Sequence, residues 1–151
     1  MKQRVTGEDL QRDPYAVWNA YVKLIGYSGQ YEELNDIQLA AHLVFRYESE
    51  VQNGGHLQFF ENESAELVER ILAALNVVGA DSYVPILSEA INRWRSRERE
   101  KLESVEDYVA EALDGEFSDL DHSFYNAQPP LIKVLERYLN QQQDEFVIVE
   151  G

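Results

Sequence analysis

The sequence predicts an all-α fold, built as a single compact domain of several helices with at most one short strand at the C-terminus. Three observations predict it. Apolar residues recur at three- and four-residue spacing through most of the 151 residues, which is the period of an amphipathic helix. Capping residues and glycines stand where these periodic segments begin and end. No repeat, low-complexity block or linker divides the chain, so we expect one domain over 1–151, with a core from about 13 to 142 and terminal extensions at 1–12 and 143–151.

Two helices are predicted in the first third of the chain. The first begins at Asp13-Pro14, because aspartate is a favoured N-cap and proline is tolerated in the first turn. Its apolar pattern breaks at Gly26. The second runs from about Asn35 to Val51 and carries a broad apolar face, so we expect it in the core.

Four further helices are predicted in the rest of the chain. They run from Ser64 to about Val78, from Asp81 or Ser82 into the charged stretch RWRSREREKLE, from Val105 to about Leu113, and from Pro129-Pro130 to about Gln141. Serine can cap the first of these helices, and Gly79 follows it as a C-cap. Between the last two, the composition of GEFSDLDHSFYNAQ, residues 115–128, predicts a loop. The closing DEFVIVEG alternates weakly and is typical of a short edge strand or a loose tail.

The net charge is the feature that departs most from an ordinary small domain. Twenty-eight acidic residues stand against thirteen basic ones, for a formal net charge of −15, whereas a magnitude of roughly 2–8 is usual. Such an excess costs stability through self-repulsion and repels nucleic acid and anionic lipid, so we expect no direct binding to nucleic acid or membrane. The negative charge either keeps the protein soluble, as in a salt-adapted proteome, or attracts a cationic partner.

The rest of the composition is that of a globular chain, since 44% of the residues are hydrophobic and disorder is not expected. The absence of cysteine excludes disulfides, thiol nucleophiles and cysteine-ligated zinc, and it is compatible with the reducing cytoplasm, where we expect the protein. The N-terminal MKQRVTGEDLQRDP has no apolar segment, and no run approaches ~18 apolar residues. Neither a signal peptide nor a membrane span is therefore expected.

Catalytic and metal-binding patterns are missing from the sequence. The three histidines, His42, His56 and His122, belong to no helical His-x-x-x-His or Glu-x-x-His pair, so no metal site or cofactor is expected. No serine stands in a G-x-S-x-G elbow, so we expect no catalytic residue and no enzyme. Gly54-Gly55 follow a helix and are accompanied by acids rather than lysine, which excludes a phosphate-binding loop.

Acidic residues form two clusters. The first lies in and around the predicted helix 103–114 and comprises Glu103, Glu106, Asp107, Glu111 and Asp114, with an extension into the predicted loop through Glu116, Asp119 and Asp121. Four of these acids share one helix face and stand ~6 Å apart along its axis, against a phosphate every ~3.4 Å per strand of duplex DNA. The second cluster comprises Glu61, Glu63, Glu66 and Glu69. Each cluster is either an imitation of phosphates or a solvated acidic face.

A basic run interrupts the acids, and it comprises Arg93, Arg95, Arg97, Arg99 and Lys101. Arginine and lysine inside so negative a domain are expected to form ion pairs. We predict pairing with Glu89, Glu98 or Glu100, or with acids of a neighbouring helix. Trp94, within the run, is predicted to belong to the core.

Three motifs resemble a known family. The first is YESEVQNGGHLQFFEN, in which an E-V-x-N-G-G-x-x-Q-[FY]-[FY]-x-N pattern is carried by Glu50, Val51, Asn53, Gly54, Gly55, Gln58, Phe59, Phe60 and Asn62. The others are an L-x-x-x-G-A-x-x-[YF] segment at Leu75, Gly79, Ala80 and Tyr83, and an L-D-x-x-[FY] segment at Leu120, Asp121 and Phe124 or Tyr125. Over about residues 15–140 the chain thus resembles the bacterial DNA-mimic protein family known from Neisseria, whose wider membership is a domain-of-unknown-function family. It departs from the family pattern at His56, where an apolar residue is expected, and at Glu63-Ser64-Ala65, where a serine-glycine turn is common.

The resemblance implies an all-helical homodimer whose acidic surface occupies the DNA-binding face of a transcription factor, as an antirepressor. Our leading hypothesis is a non-enzymatic DNA mimic that binds a basic DNA-binding protein, either a transcription factor or a histone-like protein, through the two acidic clusters. Two alternatives stay open: a small-ligand protein or enzyme with a polar pocket at Asn53–Gln58, and an acidic immunity or scaffolding protein for another basic partner. The pocket alternative predicts that Asn53, His56 and Gln58 point together into a cavity.

The glycine motif itself is expected to be structural. Asn53 and Gly54 are predicted to take the left-handed conformation that ends the second helix, and Gly55 is predicted to let the next short helix, which contains Phe59 and Phe60, pack closely. The other motif residues have supporting roles, Phe59 and Phe60 as anchors of that next helix, and Gln58 and Asn62 as hydrogen-bond partners for unpaired backbone groups.

Overall fold

The computed structural model of the chain describes residues 2–26, 31–99 and 101–151. Its elements in chain order are strand β1 (Gln3–Thr6), helices α1 (Gly7–Arg12) and α2 (Ala16–Ile25), a single 3-10 turn (Tyr31–Glu33), helices α3 (Asp36–Asn62), α4 (Ala65–Val77), α5 (Val84–Arg95), α6 (Val105–Asp114), α7 (Ser118–Asn126), α8 (Leu131–Gln141) and α9 (Gln143–Phe146), and strand β2 (Val147–Glu150). The fold is all-α, as the periodicity predicts. None of the helices in these ranges has the length and apolarity that crossing a bilayer requires.

Helix α3 is the centre of the fold, and α2, α4, α7, α8 and α9 all pack against it. Asn35 caps its N-terminus, because the Asn35 side chain accepts from the Gln38 N–H at 2.8 Å while the Gln38 side chain accepts from the Asn35 N–H at 3.1 Å. Val44, Val51 and Phe59 on its inner face are fully buried. Burial of each such side chain contributes roughly 1.5–3 kcal/mol to stability.

Helix α3 comprises the predicted second helix and the short helix expected after the glycines. It runs to Asn62, and its backbone is non-helical only at Gly54 and Gly55. The part beyond the glycines places Phe60 against Trp94 of α5, with ring centroids 5.0 Å apart and the rings within 13° of parallel. Trp94 packs against the core as predicted.

The segment 115–128, predicted as a loop, contains helix α7. The α7 sequence, SDLDHSFYN, is rich in residues of low helix propensity, so its composition favours a loop. Leu120 and Phe124 stand four residues apart and are both buried in the core, and this tertiary contact outweighs the local preference. Asp119 and Asp121 therefore lie on a helix and not in a loop.

Helix α4 begins and ends as its capping residues predict. The Ser64 side chain accepts from the Leu67 N–H at 3.2 Å. Gly79 follows the last turn with a φ of 82°, and the Ala80 N–H donates to the Leu75 carbonyl at 2.8 Å. This left-handed glycine closes the helix and satisfies one of its last carbonyls.

The two ends of the chain meet in a parallel pair of strands, in which Gln3 of β1 lies opposite Val147 of β2. The C-terminal strand agrees with the sequence, whereas β1 is missed. QRVT lacks the alternation that signals a strand, and its partner lies at the other end of the chain. Val5, Phe146 and Val147 are buried, so the segments expected to be terminal extensions also contribute to the core.

Candidate functional site

The glycine motif forms a kink that divides α3 into two helical parts, so the predicted end of one helix and the next short helix meet here. Gly54 has φ −155° and ψ 19°, and Gly55 has φ 72° and ψ −174°. The prediction that Asn53 and Gly54 take the left-handed conformation is wrong, since positive φ falls at Gly55 and at no residue other than glycine in the described chain. Asn53 keeps a helical conformation, and only the two glycines depart from it.

The close packing at Gly55 is made with α7. A Cβ atom placed on Gly55 would collide with the carboxylate of Asp121. The sequence predicts close packing at Gly55 with the next short helix. Gly55 is indeed closely packed, but its neighbour is Asp121 of α7. Glycine is needed here both for its backbone conformation and for the approach of this carboxylate.

Two tyrosines donate hydrogen bonds to backbone carbonyls at the kink. Tyr125 of α7 donates its hydroxyl to the Val51 carbonyl at 2.9 Å, and Tyr108 of α6 donates to the Gly54 carbonyl at 3.1 Å. Leaving such a group without a partner costs about 1–3 kcal/mol when it is buried. Both helices are therefore held to the kink by these hydroxyls, which the sequence gives no signal to identify.

The amides of the motif bind mainly the Glu50 side chain, and only Gln58 also reaches a backbone group, as predicted for both. Gln58 Nε2 and Asn62 Nδ2 each donate to Glu50 Oε2 at 2.9 Å, while the contact of Gln58 with the Glu50 carbonyl is long, at 3.5 Å. Asn53 Nδ2 donates to Gln58 Oε1 at 3.2 Å. These side chains clamp the two parts of α3 together across the kink.

His56 is 0% exposed and lies in the middle of a hydrogen-bonded chain. Its Nδ1 is 2.6 Å from Asp121 Oδ1, and its Nε2 is 2.8 Å from the Tyr47 hydroxyl. Nδ1–H donates to the Asp121 carboxylate, and in the neutral imidazole Nε2 accepts from the Tyr47 hydroxyl. The order of hydroxyl, imidazole and carboxylate is that of a Ser-His-Asp triad, with tyrosine in place of serine. Burial raises the pKa of Tyr47 well above its usual range, and a fully buried hydroxyl reaches no substrate.

The residues of the polar-pocket alternative do not converge. Asn53 and Gln58 bond to one another and line a surface groove that His56 does not reach. His56 instead faces the interior. Within the described ranges, no three side chains of histidine, aspartate or glutamate are grouped closely enough to hold a metal ion.

The basic run pairs with acids of neighbouring segments, as predicted. Arg93 makes a two-point contact with Asp119, at 2.6 and 2.9 Å. Arg99 makes another with Glu116, at 2.5 and 2.8 Å, and Arg97 lies 3.1 Å from the same carboxylate. Hydrogen bonds from Arg99, with a further contribution from Arg97, lower the pKa of Glu116 to about 2. Two acids of the first predicted cluster are thus neutralised within the molecule.

The second acidic cluster is also partly engaged. The Glu63 carboxylate is 1% exposed and accepts from Arg46 Nε at 2.6 Å. Glu69 pairs with Arg95 at 2.6 Å. The members with no ion pair in the described part of the chain are Glu61, which is half-buried, and Glu66, which is exposed.

Four acids of the first cluster are exposed and have no ion pair in the described ranges. Glu103 lies just before α6, and Glu106, Asp107 and Asp114 lie on it. We call these four the α6 acidic face. No basic side chain in the described ranges lies within ion-pair distance of them. Glu111, by contrast, lies 3.5 Å from Arg97, and Asp121 is bound to His56. The predicted first cluster therefore divides into free acids at α6 and acids that are used inside the fold.

A protein-family model described as DMP19-like protein matches residues 32–142, which is more than half of the chain. The matched segment contains the glycine motif, the Tyr47–His56–Asp121 chain and the α6 acidic face. Comparison with curated proteins gives no match, and neither does comparison with solved structures.

Proposed function

The chain belongs to the family of DMP19-like proteins, and from this premise we propose that it is a DNA mimic whose acidic surface occupies the DNA-binding face of a basic protein such as a transcription factor. The observation that carries the proposal is the α6 acidic face, in which four exposed carboxylates have no basic partner within the described ranges. Membership points to the imitation of DNA, and this surface offers the charge that such imitation needs.

Unpaired carboxylates at this spacing are a cost to the isolated protein. Neighbouring like charges on a helix repel one another, and the net charge of −15 adds a repulsive field over the whole molecule. A DNA-binding protein presents lysine and arginine to phosphates. Docking such a face on α6 replaces repulsion by attraction, and the negative field speeds the encounter.

The paired acids have a different place in the proposal. Glu116 and Asp119 already bind arginines of the basic run, so a partner's cation would first have to displace those arginines. We therefore assign the main contact to the α6 acidic face and a second one to Glu61 and Glu66. Glu116 and Asp119 are assigned a structural role and no contact with the partner.

The proposed mode of action is that of an antirepressor. A transcription factor held on this surface cannot occupy its operator, because both need the same basic face. In this proposal the protein is a cytoplasmic homodimer and performs no catalysis. Sedimentation equilibrium of the full-length chain measures the stoichiometry.

Capture of partners from a bacterial lysate on the immobilised full-length protein tests the proposal, with duplex DNA added as a competitor. A basic DNA-binding protein is expected at low salt, and DNA or high salt should release it. The variant E103Q/E106Q/D107N/D114N removes four charges from the α6 acidic face, and E8Q/E32Q/E33Q/D81N removes four exposed acids elsewhere as a matched control. Capture lost in the first variant alone supports the proposal. A captured protein that stays bound when DNA is added contradicts mimicry and favours an immunity or scaffolding role.

A further inference from the structure

Helix α6 exposes apolar side chains beside its acids. Val105 is 78% exposed and Val109 is 48% exposed. They stand four residues apart and so share one face of the helix. Single exposed apolar residues are common on protein surfaces, but this pair continues into a groove.

The groove has a volume of about 680 Å³ and lies between residues 101–108 and the second part of α3. Leu102, Val105 and Tyr108 give its lining an apolar part, and the polar residues Gln58, Glu61 and Asn62 line it as well. Val105 belongs to both the groove and the exposed pair, so the apolar surface is continuous. We call Leu102, Val105, Tyr108 and Val109 the α6 ridge.

Contacts that do not involve the valines hold this helix in place. Tyr108 donates to the Gly54 carbonyl at 3.1 Å, and the Asp107 N–H donates to Ser104 Oγ at 3.1 Å where the helix begins. Substituting the exposed valines therefore changes the surface and leaves these attachments intact.

Charge decides what can cover the ridge. Glu61 and Glu103 line the groove together with one cation, Lys101, and Glu106 and Asp107 follow Val105 on the helix. These four acids outnumber the lysine. In a two-fold symmetric dimer the same patch faces itself, so a second copy would bring these acids against their equivalents, and such like-charge contacts are costly. A helix with an apolar centre and basic margins complements both the ridge and the acids.

We propose that the α6 ridge and its groove receive an amphipathic basic helix of the partner. The inference rests on the proposed function and adds the chemistry of the partner's docking segment. Aliphatic or aromatic side chains of that helix enter the groove, while its lysines and arginines meet the α6 acidic face. Apolar contact is much less sensitive to salt than phosphate-like contact, so the protein holds its partner at salt concentrations that weaken purely ionic binding.

Two synthetic peptides of equal length and equal charge test this inference on the full-length protein. One is an amphipathic helix of lysine and leucine, and the other carries serine at every leucine position. The wild type is expected to bind the lysine–leucine peptide about tenfold more tightly, and the preference should persist as NaCl is raised. Shifts of backbone amide NMR signals are expected to centre on residues 102–109.

The variant V105N/V109N is expected to lose the preference and to keep the wild-type affinity for the lysine–serine peptide. V105L/V109L, which keeps the ridge apolar, and V77N/V149N, which removes exposed valines elsewhere, should both retain it. A preference that V105N/V109N retains, or that the wild type lacks, overturns the inference and leaves the proposed function standing. Unchanged binding of both peptides by E103Q/E106Q/D107N/D114N overturns the proposed function instead. A wild-type dimer that dissociates in V105N/V109N would assign the ridge to a second copy and overturn the inference.

Discussion

His56 and Asp121 are joined twice at the kink in α3: the imidazole Nδ1 lies 2.6 Å from Asp121 Oδ1, and the His56 backbone N–H donates to the same oxygen at 2.9 Å. The carboxylate also fills the space that a side chain on Gly55 would need. One acid of α7 therefore positions a buried imidazole, a backbone turn and the contact between two helices. Asp121 is among the acids predicted to bind a partner, and this geometry gives it a role within the fold.

Replacing Asp121 should destabilise the protein, because two buried donors of His56 lose their acceptor. D121A is expected to cost about 2–4 kcal/mol, because the imidazole N–H and the backbone N–H of His56 both lose their acceptor. D121N should cost less, since its amide oxygen still accepts one of them. Urea denaturation at pH 7 measures the difference. D119A, on the same helix but exposed, serves as the control, and equal losses in D119A and D121A would contradict the structural role.

Gly55 and Gly79 should differ in how well they tolerate a side chain. Both have positive φ, at 72° and 82°, so alanine is strained at either position. At Gly55 the ψ of −174° adds to the cost, because this combination of angles is open essentially to glycine alone. Only at Gly55 would the added Cβ meet the Asp121 carboxylate, whereas no described atom lies near a Cβ on Gly79. G55A should therefore unfold at a clearly lower urea concentration than G79A. Similar midpoints for the two variants would contradict both the extra backbone strain and the steric contact at Gly55.

Local sequence signals are sufficient to predict helices that have capping residues at their own ends. Ser64 and Gly79 bracket α4 in the sequence as they do in the structure. The sequence fails where a distant contact decides, because periodicity and propensity describe only neighbours along the chain. Helix α7 depends on the burial of Leu120 and Phe124, and β1 depends on a strand at the opposite end of the chain.

The same limit applies to the acidic surface. The spacing of the acids is visible in the sequence, but their pairing is a tertiary property. Glu103 and Glu116 are chemically alike in the sequence, yet Glu116 binds two arginines and Glu103 has no ion pair within the described ranges. The alternating arginines of RWRSRER indicate that some acids are neutralised by ion pairs, but they do not indicate which acids. Tyr108 and Tyr125 could not be assigned to the kink, because their carbonyl partners lie far away in sequence.

His42 should make stability depend on pH. It is buried, and its Nδ1 lies 2.5 Å from the Ile25 carbonyl at the end of α2. Burial lowers the pKa of His42 below 6.5, outweighing the opposite effect of that carbonyl. The unfolded chain therefore binds the proton more tightly than the folded one. The contribution of His42 is fully present above about pH 6.5 and is lost as the pH falls below that value.

The variant H42N isolates this contribution, because its amide can still donate to the Ile25 carbonyl and does not titrate. The free energy of unfolding, measured in urea between pH 7.5 and 5, should fall less steeply for H42N than for the wild type. H122N, at an exposed position, should follow the wild type. A slope in H42N as steep as that of the wild type would show that other groups control this range.

Glu116 should control stability at lower pH, because its pKa is also lowered, in this case in favour of the charged form. Its pKa of about 2 lies below the ordinary 4.5 because Arg99 and Arg97 bind the carboxylate. The folded state thus favours the charged form, and this stabilisation is present above about pH 4.5 and lost as the pH falls toward 2. E116Q is expected to cost about 1–3 kcal/mol at pH 7 and to flatten acid unfolding over that range. E111Q, which removes only a 3.5 Å contact, should change little, and an equal effect in both would contradict the assignment.

Acids that hold the fold and acids that bind a partner should separate in two measurements on the same variants. E116Q should lower the urea midpoint and keep the wild-type affinity for the lysine–serine peptide, because this carboxylate is already occupied. E103Q/E106Q/D107N/D114N should do the reverse. Its midpoint should change little, since the lost attraction of Glu106 and Asp107 to the helix N-terminus is offset by relief of repulsion. Its affinity for the peptide should fall, and so should the dependence of that affinity on NaCl. If E116Q lost as much affinity as the quadruple variant, the division of the acids between fold and partner would be wrong.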